Sequence, residues 1–169
     1  MSKLNKNSIF LYFGIVAIIG YVINIIILGE LDPNYSHAKQ QISELGIINA
    51  LNPLMFNLGE VVAGTFFLTS SIGAYLAVFD LTNKKYLSII FALCITFFGI
   101  NFLYSGFFPL PDERHNGYGM GAYILLAPIF LAWSCWHIPK CKLFAYANLI
   151  AFLLLLMVMF LNIFLGSQQ

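Results

Sequence analysis

One carboxylate, Glu60, lies within a long apolar stretch of the chain, residues 54–79. If that stretch crosses a bilayer, a carboxylate there costs at least about 2.5 kcal/mol on the membrane-insertion scale, so we expect Glu60 to face protein and to be paired, protonated or functional. Asn57 and Gly64 lie three residues before it and four after it, which places all three on one face of a helix. This face is typical of either a hydrogen-bonded clasp between helices or a ligand or proton site.

Histidines and carboxylates also lie in the segments that connect the apolar stretches. His37 belongs to the first such segment, and Asp112 and His115 belong to a later one. Imidazole and carboxylate groups are ligands that zinc and other divalent metals accept, so these three residues are candidate metal ligands if the two segments fold together. In that case Glu44 or Glu60 is the candidate catalytic base that would polarise a water molecule.

An arrangement of the same side chains without a metal is also open. It pairs Glu44 with Arg114 and Asp112 with His115, and it leaves the other polar groups of these segments solvated. Both arrangements require that the two connecting segments lie on the same side of the molecule.

Composition places the chain in a bilayer. Hydrophobic residues make up 60% of the chain and charged residues only 9%, and the mean hydropathy is +0.86. So few charges exclude both a water-soluble globule and a disordered chain. The net charge of +1 has no basic run, so we expect no nucleic-acid partner.

Five apolar stretches are each long enough to span the hydrocarbon core at about 1.5 Å per residue. We therefore predict an all-α polytopic membrane protein, with residues 1–169 forming a single integral membrane domain and few residues left for anything else. The predicted spans are residues 8–29, 54–79, 86–108, 118–137 and 143–165.

The third span adds polar side chains near its end, namely Asn101, Tyr104 and Ser105. Because a short connection joins the second and third spans, they should be antiparallel neighbours. We therefore expect these three side chains to meet Asn57 and Glu60.

The lysines orient the predicted bundle. Six of them fall on one side of the membrane in the five-span arrangement, and the positive-inside rule makes that side cytoplasmic. The protein is thus expected in the cell membrane, with a cytoplasmic N-terminus and an external C-terminus. The six lysines are Lys3, Lys6, Lys84, Lys85, Lys140 and Lys142.

The first external connection contains a pattern typical of a short amphipathic helix. Ser36 is a suitable N-cap and Gly46 a suitable C-terminal stop. Ala38, Ile42 and Leu45 would share its apolar face. Such a helix should lie in the membrane interface and cover the external mouth of the bundle.

Four short motifs stand out in the connections and at the span ends: Tyr35-Ser36-His37, Ile42-Ser43-Glu44-Leu45-Gly46, Asn52-Pro53 with Asn57, and Gly106-Phe107-Phe108-Pro109 with Asp112 and His115. These motifs resemble a bacterial and archaeal multi-spanning family of unknown function, DUF998. The resemblance covers the chain from the first span into the fourth, and it implies a multi-spanning fold but no established reaction. A looser likeness to eukaryotic lipid-remodelling membrane proteins implies a lipid ligand by analogy of fold.

These observations favour an outward-facing polar pocket that binds a lipid headgroup or a small amphiphile, because costly polar groups converge at one end of an apolar bundle. One alternative is a metal-dependent intramembrane hydrolase or transferase that acts on a lipid-like substrate. Another is a subunit or assembly factor of a membrane complex, and a homo-oligomer or a membrane partner is open in each case. The predicted pocket lining is His37, Ser43, Glu44, Asn57, Glu60, Asn101, Tyr104, Asp112 and His115.

Overall fold

The computed structural model describes residues 9–166, in which five helical segments are long and apolar enough to cross a membrane. This confirms the predicted all-α polytopic class, and the described range contains no β-strand. The segments are α1 (Ile9–Leu31), α2 (Pro53–Thr82), α3 (Lys85–Phe107), a fourth span formed by the 3₁₀ segment Gly117–Leu126 and α4 (Ala127–Cys135), and α5 (Lys142–Gly166).

The ends of the spans differ from the predicted ends by a few residues, and local backbone chemistry explains some of the differences. Pro53 begins α2, where its missing N–H would have had no helical partner in any case. Asn83 ends the same helix in the left-handed conformation (φ 53°). The fourth span ends at Cys135, two residues earlier than predicted, and Ser8 lies outside the described residues.

Each span packs against its neighbours in the sequence. Helix α1 contacts α2, α2 contacts α3, α3 contacts the fourth span, and the fourth span contacts α5. The predicted antiparallel pairs, second with third and fourth with fifth, follow from their short connections. Helix α2 is the most buried of the five spans, because it packs between α1 and α3.

Glycines bring the backbones of α2 and α3 into direct contact. A Cβ atom added to Gly64 would lie 2.8 Å from the carbonyl oxygen of Gly99, and one added to Gly106 would lie 2.6 Å from the carbonyl oxygen of Asn57. No side chain fits at either position. Helices in membranes usually pack closely through small residues, because the hydrophobic effect does not drive helices together inside a bilayer.

The connections lie at two ends of the bundle. The long connections, residues 32–52 and 108–116, share one end, which we name the long-loop end. The short connections, residues 83–84 and 136–141, share the other, which we name the lysine end. Lys3 and Lys6 lie outside the described residues, so the assignment of the lysine end to the cytoplasm stays a prediction.

The short helix in the first long connection is a 3₁₀ helix, Ile42–Gly46, and does not begin at Ser36 as predicted. The backbone N–H of Ser36 instead donates to Oε1 of Gln40 at 2.7 Å, which closes a separate turn. Of the predicted apolar face only Leu45 is buried, at 2% exposure, whereas Ala38 and Ile42 are exposed. Competing side-chain hydrogen bonds to the backbone explain the shorter helix.

We expect Gly64→Ala to lower the free energy of unfolding by about 1–3 kcal/mol, because its methyl group would overlap the backbone of α3. Gly20→Ala is the matched control, since a Cβ at Gly20 meets nothing within 4 Å and alanine favours helix. Thermal unfolding of the purified protein in detergent measures both. Equal behaviour of the two variants would contradict the close contact of α2 with α3.

The predicted topology can be tested with two exposed positions at opposite ends, Glu113 and Lys140. A membrane-impermeant maleimide should label Glu113→Cys in intact cells and should label Lys140→Cys only after permeabilisation, because the lysine end is predicted to be cytoplasmic. The unsubstituted chain gives the background from its own cysteines. The reverse pattern would overturn the orientation.

Candidate functional site

Glu60 lies in the interior of the bundle, with 4% of its surface exposed. The hydroxyl of Tyr21 in α1 donates to its Oε1 at 3.2 Å. Its other oxygen, Oε2, is buried and has no hydrogen-bond partner among the described residues. In the same range the only ion pair joins Arg114 to Asp112, so no cation balances Glu60. A hydrogen-bonded clasp between helices would give both carboxylate oxygens of Glu60 a partner, whereas the contact with Tyr21 gives a partner to only one of them.

Three more buried polar atoms near Glu60 have no hydrogen-bond partner within residues 9–166. They are Nδ2 of Asn24, the hydroxyl oxygen of Tyr35 and Oδ1 of Asn57. Buried polar atoms normally have partners, because an unpaired one costs about 1–3 kcal/mol. Four such atoms in one region therefore need an explanation. We name the residues that carry them, together with Tyr21, the buried polar cluster: Tyr21, Asn24, Tyr35, Asn57 and Glu60.

Helix register and packing keep this cluster together. Asn24 is one turn from Tyr21 on α1, and its amide lies against Gly59 of α2. Asn57 is one turn from Glu60 on α2. Tyr35 and Tyr21 both pack on the apolar core of Leu28, Leu45 and Phe56, which joins α1, α2 and the 3₁₀ helix.

A groove of about 440 Å³ runs between α1 and α2 next to the cluster. Tyr21 and Asn24 form its polar part. The side chains of Val16, Met55 and Leu58 on its rim are at least half exposed, so the groove opens on the surface of the bundle. We name it the α1–α2 groove, and its lining is Val16, Ala17, Gly20, Tyr21, Asn24, Met55, Leu58, Gly59, Val62, Ala63 and Phe66.

The polar residues of α3 do not meet Asn57 and Glu60 as expected. Oδ1 of Asn101 accepts a hydrogen bond from the backbone N–H of Gly121 at 3.2 Å, in the fourth span. The ring of Tyr104 packs against Tyr118 with 5.8 Å between centroids. Helical periodicity explains this, because α3 presents its glycines to α2 and these polar residues to the fourth span.

His115 is buried, and its contacts hold the end of α3. Its Nδ1 lies 3.1 Å from the carbonyl oxygen of Phe108, and its own carbonyl accepts a hydrogen bond from Ser105 at 2.9 Å. Because a carbonyl can only accept, Nδ1 carries the proton in this contact. This bond satisfies one of the carbonyls that the end of a helix leaves without a partner.

His37 lies at a different place, exposed in the first long connection. Its ring packs edge-on against Tyr35, with 5.0 Å between centroids, and over the backbone of Gly29. The described residues contain no group of three His, Cys, Asp or Glu side chains that could hold a metal. The candidate metal ligands His37, Asp112 and His115 are therefore not brought together.

Two carboxylates of the long connections, Asp112 and Glu44, take local partners, and both expected pairings are corrected. Asp112 pairs with Arg114 and not with His115, through bonds of 2.9 and 2.7 Å, and these hydrogen bonds lower the Asp112 pKa to about 2. Glu44 does not reach Arg114. It accepts from the backbone N–H of Gln41 and the side chain of Gln40, and these bonds lower the Glu44 pKa.

Short sequence distance explains these pairings, because partners two to four residues apart meet with little loss of chain entropy. Ser43, beside Glu44, is half-buried in the 3₁₀ helix.

A second groove, of about 920 Å³, lies between the two long connections, and we name it the long-loop groove. It unites Asn57 and Asp112, two members of the predicted pocket, with Arg114, which the sequence analysis considered only as an ion-pair partner. Its lining is Gly46, Ile48, Pro53, Leu54, Asn57, Phe107, Phe108, Pro109, Leu110, Pro111, Asp112 and Arg114.

Three members of the buried polar cluster were missed by the sequence analysis, namely Tyr21, Asn24 and Tyr35. An asparagine three residues after a tyrosine within an otherwise apolar span is a signal that could have identified the first two. Tyr35 gives no such signal, since it lies in a connection.

Residues 15–168 match the model of a family of proteins of unknown function, DUF998. The chain belongs to this family. The match reaches through α5, further than the motifs that first indicated the resemblance. No curated protein and no solved structure matches this DUF998 protein.

The pairing of Asp112 with Arg114 predicts a pH dependence. The pKa of Asp112 is lowered from 3.8 to about 2. The contribution of this contact to the stability of the folded protein is therefore complete when the pH is well above 3.8, and it is lost as the pH falls toward 2. Carboxyl NMR of Asp112 should show this titration in the wild-type protein and a return toward the ordinary pKa in Arg114→Gln. An unchanged Asp112 titration in Arg114→Gln would contradict the assignment.

Proposed function

We propose that this membrane protein binds a lipid-like amphiphile beside Glu60, with the polar head at Tyr21, Asn24, Tyr35 and Glu60 of the buried polar cluster and the tail along the α1–α2 groove. The observation that carries the proposal is the buried Oε2 of Glu60, which has no hydrogen-bond partner in the part of the chain that the structure describes. A carboxylate that is desolvated and only half satisfied is costly within a bilayer, and a ligand that completes its hydrogen bonds would offset that cost.

The atoms that lack partners indicate the chemistry of the head. Oε2 of Glu60 accepts hydrogen bonds, Nδ2 of Asn24 donates one, and the hydroxyl of Tyr35 does either. A carboxylate without a cationic partner disfavours a bare anion. The head should therefore carry hydrogen-bond donors, as an ammonium or a set of hydroxyl groups does.

The shape and lining of the α1–α2 groove suit the tail. Apart from Tyr21 and Asn24 its lining is apolar, and it opens on the lipid-facing side of α1 and α2. An acyl chain could enter sideways from the bilayer without crossing a polar barrier. Pockets of this kind, apolar with a few convergent polar groups, are typical of small-molecule sites.

The alternatives from the sequence have less support. A metal-dependent hydrolase needs His37, Asp112 and His115 together, and each of them has a separate partner. The subunit alternative has no specific contact in its favour.

The proposal predicts selectivity for headgroups with donors. Purified wild-type protein in detergent should bind phosphatidylethanolamine and phosphatidylglycerol at least about tenfold more tightly than phosphatidylcholine, whose headgroup has no hydrogen-bond donor. Glu60→Gln and Asn24→Leu should each weaken that preference. Native mass spectrometry of lipid-bound protein measures the occupancy, and thermal unfolding verifies that each variant folds.

Thr65→Val is the matched control, because Thr65 is exposed on α2 and its hydroxyl bonds only to the carbonyl of Val61 in its own helix. It should bind lipid as the wild type does. Equal binding of the three lipids by the wild type would overturn the proposal. If Glu60→Gln and Asn24→Leu both fail to fold, Glu60 is a structural clasp and the proposal is likewise wrong.

A further inference from the structure

The long-loop groove is a second place on this molecule where polar groups meet an apolar wall, and it shares no lining residue with the α1–α2 groove. On α2, Leu54 and Asn57 line the long-loop groove, whereas Met55, Leu58 and Gly59 line the α1–α2 groove. At about 100° per residue, the mean directions of these two sets differ by roughly 120°. An occupant of the long-loop groove is therefore separate from one in the α1–α2 groove.

Arg114 is held in a fixed orientation at this groove. Its Nε and Nη2 donate to the two carboxylate oxygens of Asp112, and its guanidinium carbon lies 3.8 Å from the centroid of the Phe108 ring. Bidentate pairing and stacking on an aromatic face are both favourable for arginine, and together they fix the plane of the guanidinium.

The same residue keeps free capacity for an anion. A guanidinium has five N–H groups, and the contacts with Asp112 use two of them, which leaves three. Its side chain is 48% exposed, so these donors are accessible. Arginine in this state is well suited to a phosphate, which accepts several hydrogen bonds at once.

Asn57 supplies a second polar contact in the groove. Its Nδ2 donates to the carbonyl of Gly46 at 3.0 Å, which fixes the amide, and its Oδ1 has no partner among the described residues. A hydroxyl or ammonium group next to a phosphate could donate to this oxygen. The pair of Arg114 and Asn57 thus fits a headgroup that carries both a phosphate and a donor.

The apolar rim of the groove indicates a lipid and not a free phosphate. Phe107, Leu54 and Ile48 are 62%, 69% and 88% exposed at the ends of α3 and α2 and in the adjoining loop. Large apolar side chains at the level of the helix ends are suited to contact acyl chains, and we expect Arg114, in the connection beyond α3, to lie at the level of the headgroups.

From these contacts we infer that the long-loop groove binds the phosphate of a phospholipid headgroup through Arg114, with Asn57 accepting a hydrogen bond from the same headgroup. This inference goes beyond the function proposed above, because it concerns a groove with a separate set of lining residues and requires a phosphate. It also predicts opposite effects for the two members of the ion pair.

Binding of phosphatidylglycerol and of diacylglycerol, which lacks the phosphate, to the purified full-length protein tests the inference by native mass spectrometry. To isolate the long-loop groove, each variant is built on Asn24→Leu. Arg114→Gln should reduce phosphatidylglycerol binding about tenfold and leave diacylglycerol binding unaffected.

Asp112→Asn should increase phosphatidylglycerol binding several-fold, because it removes a negative charge from the groove and releases two N–H donors of Arg114. Lys39→Gln is the control, since Lys39 is an exposed cation in the other long connection.

A purely structural ion pair predicts a different result, in which both substitutions lower thermal stability and neither changes the ratio of phosphatidylglycerol to diacylglycerol. That result overturns the inference, and so does displacement of the lipid by millimolar inorganic phosphate, which would mark a free-phosphate site. If Asn24→Leu alone abolishes all lipid binding, the α1–α2 groove is the site of all lipid binding and the long-loop groove is not a lipid site. If the Asn24→Leu protein still binds phosphatidylglycerol and this binding depends on Arg114, the result supports the long-loop groove as a lipid site. This holds even if the proposal for Glu60 fails.

Discussion

The direct backbone contact between α2 and α3 determines how the other helices and their polar side chains are arranged. Gly64, Gly99 and Gly106 allow an approach that any side chain would block. Once these faces are together, the rotation of each helix about its axis is fixed, because a turn of one residue would place a bulky side chain in the contact. Van der Waals packing of this kind is a main source of helix association in a bilayer, where apolar side chains gain little by leaving lipid.

This rotation divides the costly polar groups between two faces. Helix α3 directs Asn101 toward the glycine-rich start of the fourth span and Ser105 toward His115 in the connection before that span. Helix α2 directs Glu60 toward α1 and leaves Asn57 beside the first long connection. In the first group, Oδ1 of Asn101 and the hydroxyl of Ser105 have hydrogen-bond partners within the protein. In the second group, Oε2 of Glu60 and Oδ1 of Asn57 have none among the described residues, and this difference separates structural polar residues from candidate binding residues.

The long-loop end combines rigid and unsatisfied elements in a way that suits recognition. Local bonds of Glu44, Asp112 and His115 fix the course of the two long connections, and bonds from Asn57 and Ser105 join those connections to α2 and α3. A site that is ordered before its ligand arrives loses less conformational entropy on binding. Glu44, Asp112 and His115, first considered as ligands or catalytic groups, therefore contribute most by ordering the connections that border the long-loop groove.

The sequence by itself determined the membrane class, the number of spans and the burial of Glu60, because hydropathy, span length and the cost of a carboxylate in lipid depend only on residue type and local order. It did not determine which polar residues share a site. Asn24 and Tyr21 join Glu60, and Asn101 leaves it, through the relative rotation of helices far apart in sequence. The partners of Asp112 and Glu44 likewise depended on turn geometry within a few residues. Only the tertiary structure decides such contacts, since they follow from the packing of glycine faces and from the folded course of the two long connections.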